Sequence, residues 1–266
     1  IEAGRRLCGI VGILSGSRDG PPDPVILEAM KTRLIHRGPD DDGTYLDDQV
    51  ALGMRRLSII DLEAGQQPAT NEDGSIQVVF NGEIYNYREL TDRLVALGHE
   101  FHSRSDTEAV VHAYEQWGDA FLDKLNGMFA FALWDVRRRR LMLARDRAGI
   151  KPLYYSKIGT TLVFGSELKA LLEHPMVERD LDPESLGHYL SFEYVPTPHA
   201  IFRGVRKLRP GHYLIAERDW IDEVRYWDFE IQRGESIRIT DPHVHAQKFA
   251  GVLQDSVAAE MVSDVP

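Results

Sequence analysis

Short apolar runs, each bounded by turn-forming residues, constrain the fold of this chain more than any other feature. The first run covers residues 10–14, and others follow at 50–60, 76–80, 128–134, 140–144, 153–156 and 162–165. Several are joined by tight turns, which connect antiparallel strands, because parallel strands need a crossover of about a dozen residues or more. The sequence therefore predicts antiparallel sheets.

Segments with helical spacing separate some of these strands. Apolar residues recur at helical intervals over residues 23–35. The capping motifs at residues 86–89 and 105–108 indicate that two further helices begin there. Another helix is predicted from residue 182, and an amphipathic helix covers 242–262. Antiparallel strands with interleaved helices predict an α+β layered domain rather than a doubly wound parallel sheet.

The net charge of the chain disfavours some classes of function. The 266 residues include 42 acidic and 31 basic side chains, a net charge of −11, which disfavours nucleic-acid and polyanion partners. Small-molecule chemistry is the better expectation. A single cysteine excludes a disulfide scaffold and fits a reducing compartment. With no signal peptide and no run of ~18 apolar residues, we expect a cytoplasmic protein with no membrane partner.

The one cysteine, Cys8, opens the first apolar run almost at the start of the chain. This placement is typical of an N-terminal nucleophile that carries its own base. A chain-terminal amine titrates near a pKa of ~8 and a thiol near ~8.5, so a proton can pass between them near neutral pH. The alternative is that Cys8 is a small buried hydrophobe at the end of a strand.

Asn81 and Gly82 follow the apolar strand at 76–80. An amide side chain beside an unobstructed glycine N–H could form an oxyanion hole. Asn-Gly is also a common two-residue hairpin turn. A helix that begins near residue 86 leaves no room for a returning strand, which favours the oxyanion hole.

Two charged residues could bind the ends of an amino acid. Arg56 lies on one strand face with Ser58 and Ile60, where its guanidinium could hold a carboxylate in bidentate fashion. The alternative is an edge-strand arginine that keeps the sheet from aggregating. Asp106 lies in the first turn of a helix, where capping is its ordinary role and binding a substrate ammonium is the alternative.

No metal or phosphate site is predicted. His99 and His102 lack the further ligands that zinc needs, as do His243 and His245. The acidic run at 40–42 lacks the ligand spacing of a calcium loop. No glycine-rich phosphate loop is present in the sequence.

Five motifs, taken in order, closely resemble those of the glutaminase half of glutamine-hydrolysing asparagine synthetases. They are residues 8–12 (CGIVG), 36–40 (HRGPD), 56–61 (RLSIID), 81–86 (NGEIYN) and 105–108 (SDTE). The resemblance continues through 125–132, 144–147, 149–154 and 166–170, and covers nearly everything from Cys8 onward. It implies a four-layer αββα sandwich of two antiparallel sheets, the fold of N-terminal nucleophile hydrolases, and L-glutamine as substrate.

The resemblance also implies catalytic roles for three residues. Cys8 would attack the side-chain amide of glutamine, with its own amine as general base. The Asn81 side chain and the Gly82 N–H would hold the oxyanion. Water would then hydrolyse the thioester to glutamate after ammonia has left.

Substrate-binding roles follow from the same resemblance. Arg56 would bind the α-carboxylate of glutamine, and Asp106 and Glu83 would bind its ammonium and amide ends. Backbone atoms of the stretch after Arg56 would line the pocket, at Leu57, Ser58, Ile59 and Ile60.

Three segments are expected along the chain. Residues 1–7 would be a removable leader, a misassigned start or residues added for expression, and their removal would free the amine of Cys8. Residues 8–215 would form the glutaminase domain. Residues 216–266 would form a connector and the start of a synthetase domain of the α/β class, including its first helix.

The resemblance implies that cofactors bind to a synthetase domain and not to the glutaminase domain. No cofactor is expected for the glutaminase part, whereas a full-length synthetase, joined in cis, would use ATP and magnesium to amidate aspartate to asparagine. A homodimer is compatible with the resemblance. Two alternatives stay open: the same glutaminase could serve another acceptor, or the domain could be a non-catalytic glutamine-binding module if Cys8 stays internal.

Overall fold

The computed structural model describes residues 7–16, 19–57, 65–217, 219–229 and 241–261. Its strands are β1 (Gly9–Leu14), β2 (Asp41–Leu46), β3 (Val50–Arg56), β4 (Ala69–Thr70), β5 (Ile76–Ile84), β6 (Gly127–Asp135), β7 (Arg140–Arg145), β8 (Tyr154–Ile158), β9 (Thr161–Gly165), β10 (Val205–Lys207), β11 (His212–Glu217) and β12 (Trp220–Arg225). Its helices are α1 (Pro24–Thr32), α2 (Tyr87–Ala96), α3 (Asp106–Trp117), α4 (Leu168–Leu171), α5 (Pro183–Phe192) and α6 (Pro242–Glu260), with a 3₁₀ helix at Gly118–Lys124.

Within the described residues, the strands form two six-stranded sheets. The first has the order β10-β8-β9-β1-β3-β2, and the second has the order β12-β11-β7-β6-β5-β4. Every pairing between these strands is antiparallel. The antiparallel architecture predicted from the tight turns is confirmed.

Alternation along β1 shows how the first sheet is covered on both faces. Ile10 and Leu14 belong to the apolar cluster between the two sheets. Val11 and Ile13 point the other way, into a cluster with Leu27 of α1. A strand that is buried on both faces reads as a continuous apolar run, which is why β1 shows no polar alternation.

The second sheet is covered in the same way. Val79 of β5 packs into the cluster between the sheets. Val78 and Phe80 face the opposite side, where they pack with Val110 of α3 and Leu90 of α2. The layers are therefore helix, sheet, sheet and helix, and the predicted α+β four-layer sandwich is confirmed.

The strand β5 is longer than predicted. It continues through Asn81 and Gly82 to Ile84, and Gly82 pairs with Phe129 of β6. The hairpin-turn alternative for Asn81 and Gly82 is therefore wrong, and so is the expectation that they lie just beyond the strand. A Cβ at Gly82 would collide with the carbonyl oxygen of Met128, so glycine is needed for this close strand pairing.

The two predicted helix-start signals act differently. The side chain of Ser105 caps α3 by accepting a hydrogen bond from the Thr107 N–H. The Asn86 side chain does not cap α2, although the helix begins directly after it. It bonds instead to the turn before β6, where it accepts from the Asn126 N–H at 2.9 Å.

The second sheet extends past residue 215, where the glutaminase segment was expected to end. Strand β11 spans that residue, and β12 pairs with β11 as far as Arg225. The sequence did not predict β12. Its residues are a mixture of polar and apolar types and are at least partly exposed, so they show no clear periodicity. The helix α6 has no buried residue, and its assignment to a following domain stays a prediction.

Among the described residues, none of the helices combines the length and the apolar character that crossing a bilayer would require.

Candidate active site

A cleft at the end of β5 brings together most of the predicted site residues. It encloses about 370 Å³, part of it open to solvent. Its walls come from the residue before β1, the end of β3, the segment before β4, the strand β5 and the start of α3. The lining residues are Cys8, Arg56, Leu57, Gly65, Gln67, Phe80, Gly82, Glu83, Ser105, Asp106 and Thr107. Residues far apart in sequence therefore meet at one place.

The thiol of Cys8 lies against the backbone of Leu57. The Leu57 N–H donates to Cys8 Sγ at 3.4 Å, and Sγ lies 3.5 Å from the Leu57 carbonyl oxygen. Burial raises the pKa of the Cys8 thiol, while the Leu57 N–H and the charges of Arg56 and Lys151 oppose that rise. The surroundings thus contain several groups that stabilise the thiolate.

The main chain around Cys8 is held in place by Arg37. The Arg37 guanidinium donates through Nε to the Cys8 carbonyl oxygen at 2.9 Å and through Nη1 to Glu167 at 3.0 Å. The Leu7 N–H donates to the Arg37 carbonyl oxygen at 3.0 Å. In this chain the Cys8 nitrogen is an amide, and this backbone position is ordered by contacts on both sides.

Asn81 precedes the cleft residue Gly82 but does not itself line the cleft. Its side chain is 1% exposed, and neither its amide nitrogen nor its amide oxygen has a hydrogen-bond partner among the described residues. Strand alternation places Asn81 on the same face as Val79, toward the space between the sheets, where Cys8 also packs. A buried amide left without partners costs free energy, which a hydrogen bond to a bound group would recover.

Arg56 is a buried residue of an internal strand. It is 5% exposed, and β3 lies between β1 and β2 in the first sheet. The interpretation of Arg56 as a solubilising edge-strand residue is therefore wrong. Its position in the cleft wall allows its guanidinium to contact a bound anion.

Asp106 is the first residue of α3 and is 5% exposed. Its Oδ2 accepts a hydrogen bond from the Ile84 N–H at 3.0 Å. Burial raises the pKa of the Asp106 carboxyl to about 6, and the nearby Glu83 charge adds to the rise, while the Ile84 N–H opposes it. The carboxylate is ionised at neutral pH, and a cationic ligand would stabilise that charge.

Glu83 is half-buried at the cleft, two residues after Asn81 on β5. Burial raises the pKa of the Glu83 carboxyl, and the charge of Lys151 opposes that rise. Leu57 also lines the cleft. The other predicted pocket residues, Ser58, Ile59 and Ile60, lie outside the described residues.

Residues 7–227 match the model of a protein family described as the glutamine amidotransferase domain. The chain belongs to this family.

Two curated relatives of this amidotransferase domain come from Bacillus subtilis (strain 168). The chain is 37% identical to asparagine synthetase [glutamine-hydrolyzing] 3 over 264 residues, and 36% identical to asparagine synthetase [glutamine-hydrolyzing] 1 over 262 residues. Each alignment covers 98% of this chain, but only 42% and 41% of those two relatives. The chain thus spans less than half the length of these relatives.

A solved structure shares the fold of the amidotransferase domain. It is the glutamine phosphoribosylpyrophosphate amidotransferase from B. subtilis complexed with ADP and GMP, with a TM-score of 0.58 and 21% identity. The match covers 83% of this chain and 49% of that structure. At this identity the likeness shows the fold alone.

Lys151 is a residue of the amidotransferase domain for which the sequence indicated no role. It is buried, and its charge acts on both the Cys8 thiol and the Glu83 carboxyl. Burial lowers the pKa of the Lys151 ammonium, and the negative charges of Glu83 and Cys8 oppose that fall. The motif at 149–154 contains Lys151 and was the only signal for it.

The loop that carries Lys151 is shaped by Asp146. The buried carboxylate of Asp146 accepts backbone N–H groups from Lys151 at 2.9 Å, Ile150 at 2.9 Å, Ala148 at 3.1 Å and Phe129 at 3.2 Å. A single carboxylate therefore satisfies four backbone donors and fixes the loop to β6.

Gln67 lines the cleft, and no sequence motif indicated a role for it. Its Oε1 accepts from the Phe80 N–H at 2.7 Å, and its Nε2 donates to Thr107 Oγ1 at 3.2 Å. These bonds connect β5 to the first turn of α3, and so hold two walls of the cleft together.

Proposed function

We propose that this chain hydrolyses the side-chain amide of glutamine to glutamate and ammonia. The convergence of Cys8, Arg56, Gly82, Glu83 and Asp106 on one cleft is the observation that supports it. The cleft combines one nucleophile, one buried cation and two carboxylates, which are the groups needed to hold an amino acid beside a thiol. Membership of the amidotransferase family agrees with this chemistry.

Some residues of the site would bind glutamine, and others would take part in the reaction. Arg56 would hold the α-carboxylate of glutamine, and Asp106 would hold its α-ammonium. Cys8 Sγ would attack the side-chain amide carbon, so that a C–S bond forms and the carbonyl oxygen becomes negative. The Asn81 amide and the Gly82 N–H would stabilise that oxygen, a contribution of about 3 kcal/mol for each donor in comparable sites.

The proton balance requires a base at Cys8. A free α-amine at Cys8 would take the thiol proton and pass it to the leaving ammonia, and water would then hydrolyse the thioester. With residue 7 attached, the Cys8 nitrogen is an amide and accepts no proton. We therefore propose that the active form begins at Cys8.

The experiment compares two forms of the same protein. One begins at Cys8, and the other retains residues 1–7. Glutamate release from glutamine is expected from the first form only, and Cys8→Ala in that form should abolish it. Steady glutamate release by the Cys8→Ala variant would exclude the thiol as nucleophile.

A glutamine-binding measurement on the longer form addresses the alternative of a non-catalytic module. If both forms bind glutamine and neither releases glutamate, the module interpretation is correct. Mass spectrometry of the protein from native cells would then show whether Cys8 becomes the N-terminus.

We also propose that the ammonia serves a synthetase part of a longer protein, which would use ATP and magnesium to amidate aspartate. The names of the two Bacillus subtilis relatives and the chain's partial coverage of them support this. Incubating the full-length protein with glutamine, ATP, magnesium and one candidate acceptor at a time tests it. Asparagine formed from aspartate is the expected product, and amidation of another acid instead would correct the acceptor.

Cytoplasmic location and a homodimer complete the proposal. Fractionation of native cells tests the location. Sedimentation of the full-length protein tests the dimer, and a monomer at all concentrations would exclude it.

A further inference from the structure

Two histidines and two glutamates, none of which lines the cleft, meet beside α3. Glu72 lies in the turn between β4 and β5, His99 follows α2, and His112 and Glu115 lie one turn apart on α3. One ligand atom from each residue can be chosen so that all four lie within 4.8 Å of one another. Three separate segments of the chain therefore bring nitrogen and oxygen ligands to one point.

The separations between these atoms are those of a small coordination sphere. Glu115 Oε2 lies 3.6 Å from His99 Nδ1 and 3.7 Å from His112 Nδ1, and Glu72 Oε2 lies 3.8 Å from His112 Nδ1. A tetrahedral zinc ion with ligands near 2.1 Å would separate neighbouring ligand atoms by about 3.4 Å. These three separations exceed that value by only a few tenths of an ångström, and all four ligand atoms lie within 4.8 Å of one another.

His112 points to a ligand independently of the acidic residues. It is 0% exposed, and neither ring nitrogen has a hydrogen-bond partner among the described residues. Its nearest carboxylate oxygens are 3.6 to 3.8 Å away, beyond the reach of a direct hydrogen bond. The Nδ1 atom of this buried imidazole faces the carboxylates of Glu72 and Glu115 without bonding them, and a bound cation would satisfy all three groups.

His99, Glu72 and Glu115 each have a second polar side-chain atom, and another residue of the protein contacts it. Gln116 Oε1 lies 3.0 Å from His99 Nε2, the Glu100 N–H donates to Glu72 Oε1 at 3.0 Å, and Asn71 Nδ2 donates to Glu115 Oε1 at 3.1 Å. Glu108 Oε1 faces His112 Nε2 at 3.6 Å. Such outer contacts orient the ligands of metal centres and leave the inner atoms available.

We propose that Glu72, His99, His112 and Glu115 form a structural site for a divalent transition-metal ion, with Zn²⁺ as the fitting metal. Two neutral imidazoles and two carboxylates would neutralise the ion's charge, and the mixed nitrogen and oxygen set suits zinc. The ion would join the turn before β5, the end of α2 and the middle of α3. The prediction that His99 lacks further metal ligands is wrong, because the fold places His112 and two glutamates beside it.

Metal binding to the tag-free, chelator-treated protein tests this site. Titration with Zn²⁺, followed by mass-spectrometric metal analysis, should give about one bound ion per chain. Co²⁺ should give the intense visible absorption of a tetrahedral complex. Absence of stoichiometric binding, or the weak spectrum of hydrated octahedral Co²⁺, would overturn the proposal.

Substitutions separate this site from unspecific binding. Glu115→Gln preserves the size of the side chain and its contact with Asn71, and should abolish stoichiometric binding; His112→Gln should do the same if it folds. His102→Gln is the matched control, since that imidazole lies in the same region outside the ligand set, and it should bind metal normally. Equal binding by Glu115→Gln and the unsubstituted protein would refute the assignment.

Two further measurements keep the test independent of folding defects. Gln116→Ala removes only the contact that orients His99, and should weaken the affinity for Zn²⁺ by about 10–100-fold. Zn²⁺ should raise the melting temperature of the unsubstituted protein and leave that of Glu115→Gln unchanged. An equal rise in both proteins would mean that the ion binds elsewhere.

Discussion

The Asp106 carboxylate accepts a hydrogen bond from the Ile84 N–H at 3.0 Å, so the first residue of α3 is tied to the last residue of β5. This bond joins two walls of the cleft and places a buried carboxylate beside the thiol and Arg56. Burial raises the pKa of the Asp106 carboxyl to about 6. We therefore expect ligand binding at this site to depend on pH near that value.

Binding of glutamine should weaken as the pH falls through about 6. Protonation of Asp106 removes the charge that would hold the substrate ammonium. The KM for glutamine should therefore rise between pH 7 and pH 5, and Asp106→Asn should show a high KM throughout. Asp92→Asn, on α2, is the control, and an unchanged KM in Asp106→Asn would remove Asp106 from the binding site.

Protonation of the Asp106 carboxyl should stabilise the fold, although it weakens glutamine binding. Its folded-state pKa of about 6 lies above the unfolded value of 3.8, so the folded protein binds the proton more tightly. Its contribution to the free energy of unfolding should therefore increase as the pH falls from about 6 to about 4. Denaturant unfolding across this range should show that contribution in the unsubstituted protein and not in Asp106→Asn.

Asn81→Ala should reduce activity far more than stability. Removing one oxyanion donor lowers kcat by about 10²–10³-fold in comparable sites. The free energy of unfolding should change by less than about 1 kcal/mol, because removing a buried amide that has no hydrogen-bond partner in the described ranges offsets the cost of a small cavity. Steady-state kinetics and denaturant unfolding together check this, and a stability loss that matches the activity loss would assign Asn81 a structural role.

Arg56→Lys should raise the KM for glutamine by about 10–100-fold, although the charge is retained. A lysine ammonium cannot make the paired hydrogen bonds that a guanidinium makes with a carboxylate. The value of kcat should change much less, because the contact with the α-carboxylate is similar in the ground state and the transition state. A kcat loss with no change in KM would contradict carboxylate binding.

Asp146→Ala should destabilise the fold by about 3 kcal/mol or more. The substitution leaves backbone N–H groups of Phe129, Ala148, Ile150 and Lys151 without their acceptor. Thermal and denaturant unfolding measure the loss. Asp123→Ala, in the 3₁₀ helix, is the control and should change stability by less than about 0.5 kcal/mol.

The sequence alone predicted the antiparallel α+β architecture and several of the residues that line the cleft. Apolar runs joined by tight turns predict antiparallel strands, because strand periodicity and turn chemistry are local properties. The sequence motifs contain Cys8, Arg56, Gly82, Glu83 and Asp106, and the structure brings these five residues to one cleft.

Only the tertiary structure decided how far β5 extends, that Arg56 is buried, and that Lys151 acts on Cys8. It also decided that His99 meets His112 and two glutamates instead of His102. These features depend on strand register and on the packing of segments that are distant in sequence, which local periodicity does not encode. Burial raises the pKa of Asp106, and within the described part of the chain it leaves the polar side-chain atoms of Asn81 and His112 without hydrogen-bond partners. Both effects require surroundings that only the folded chain provides.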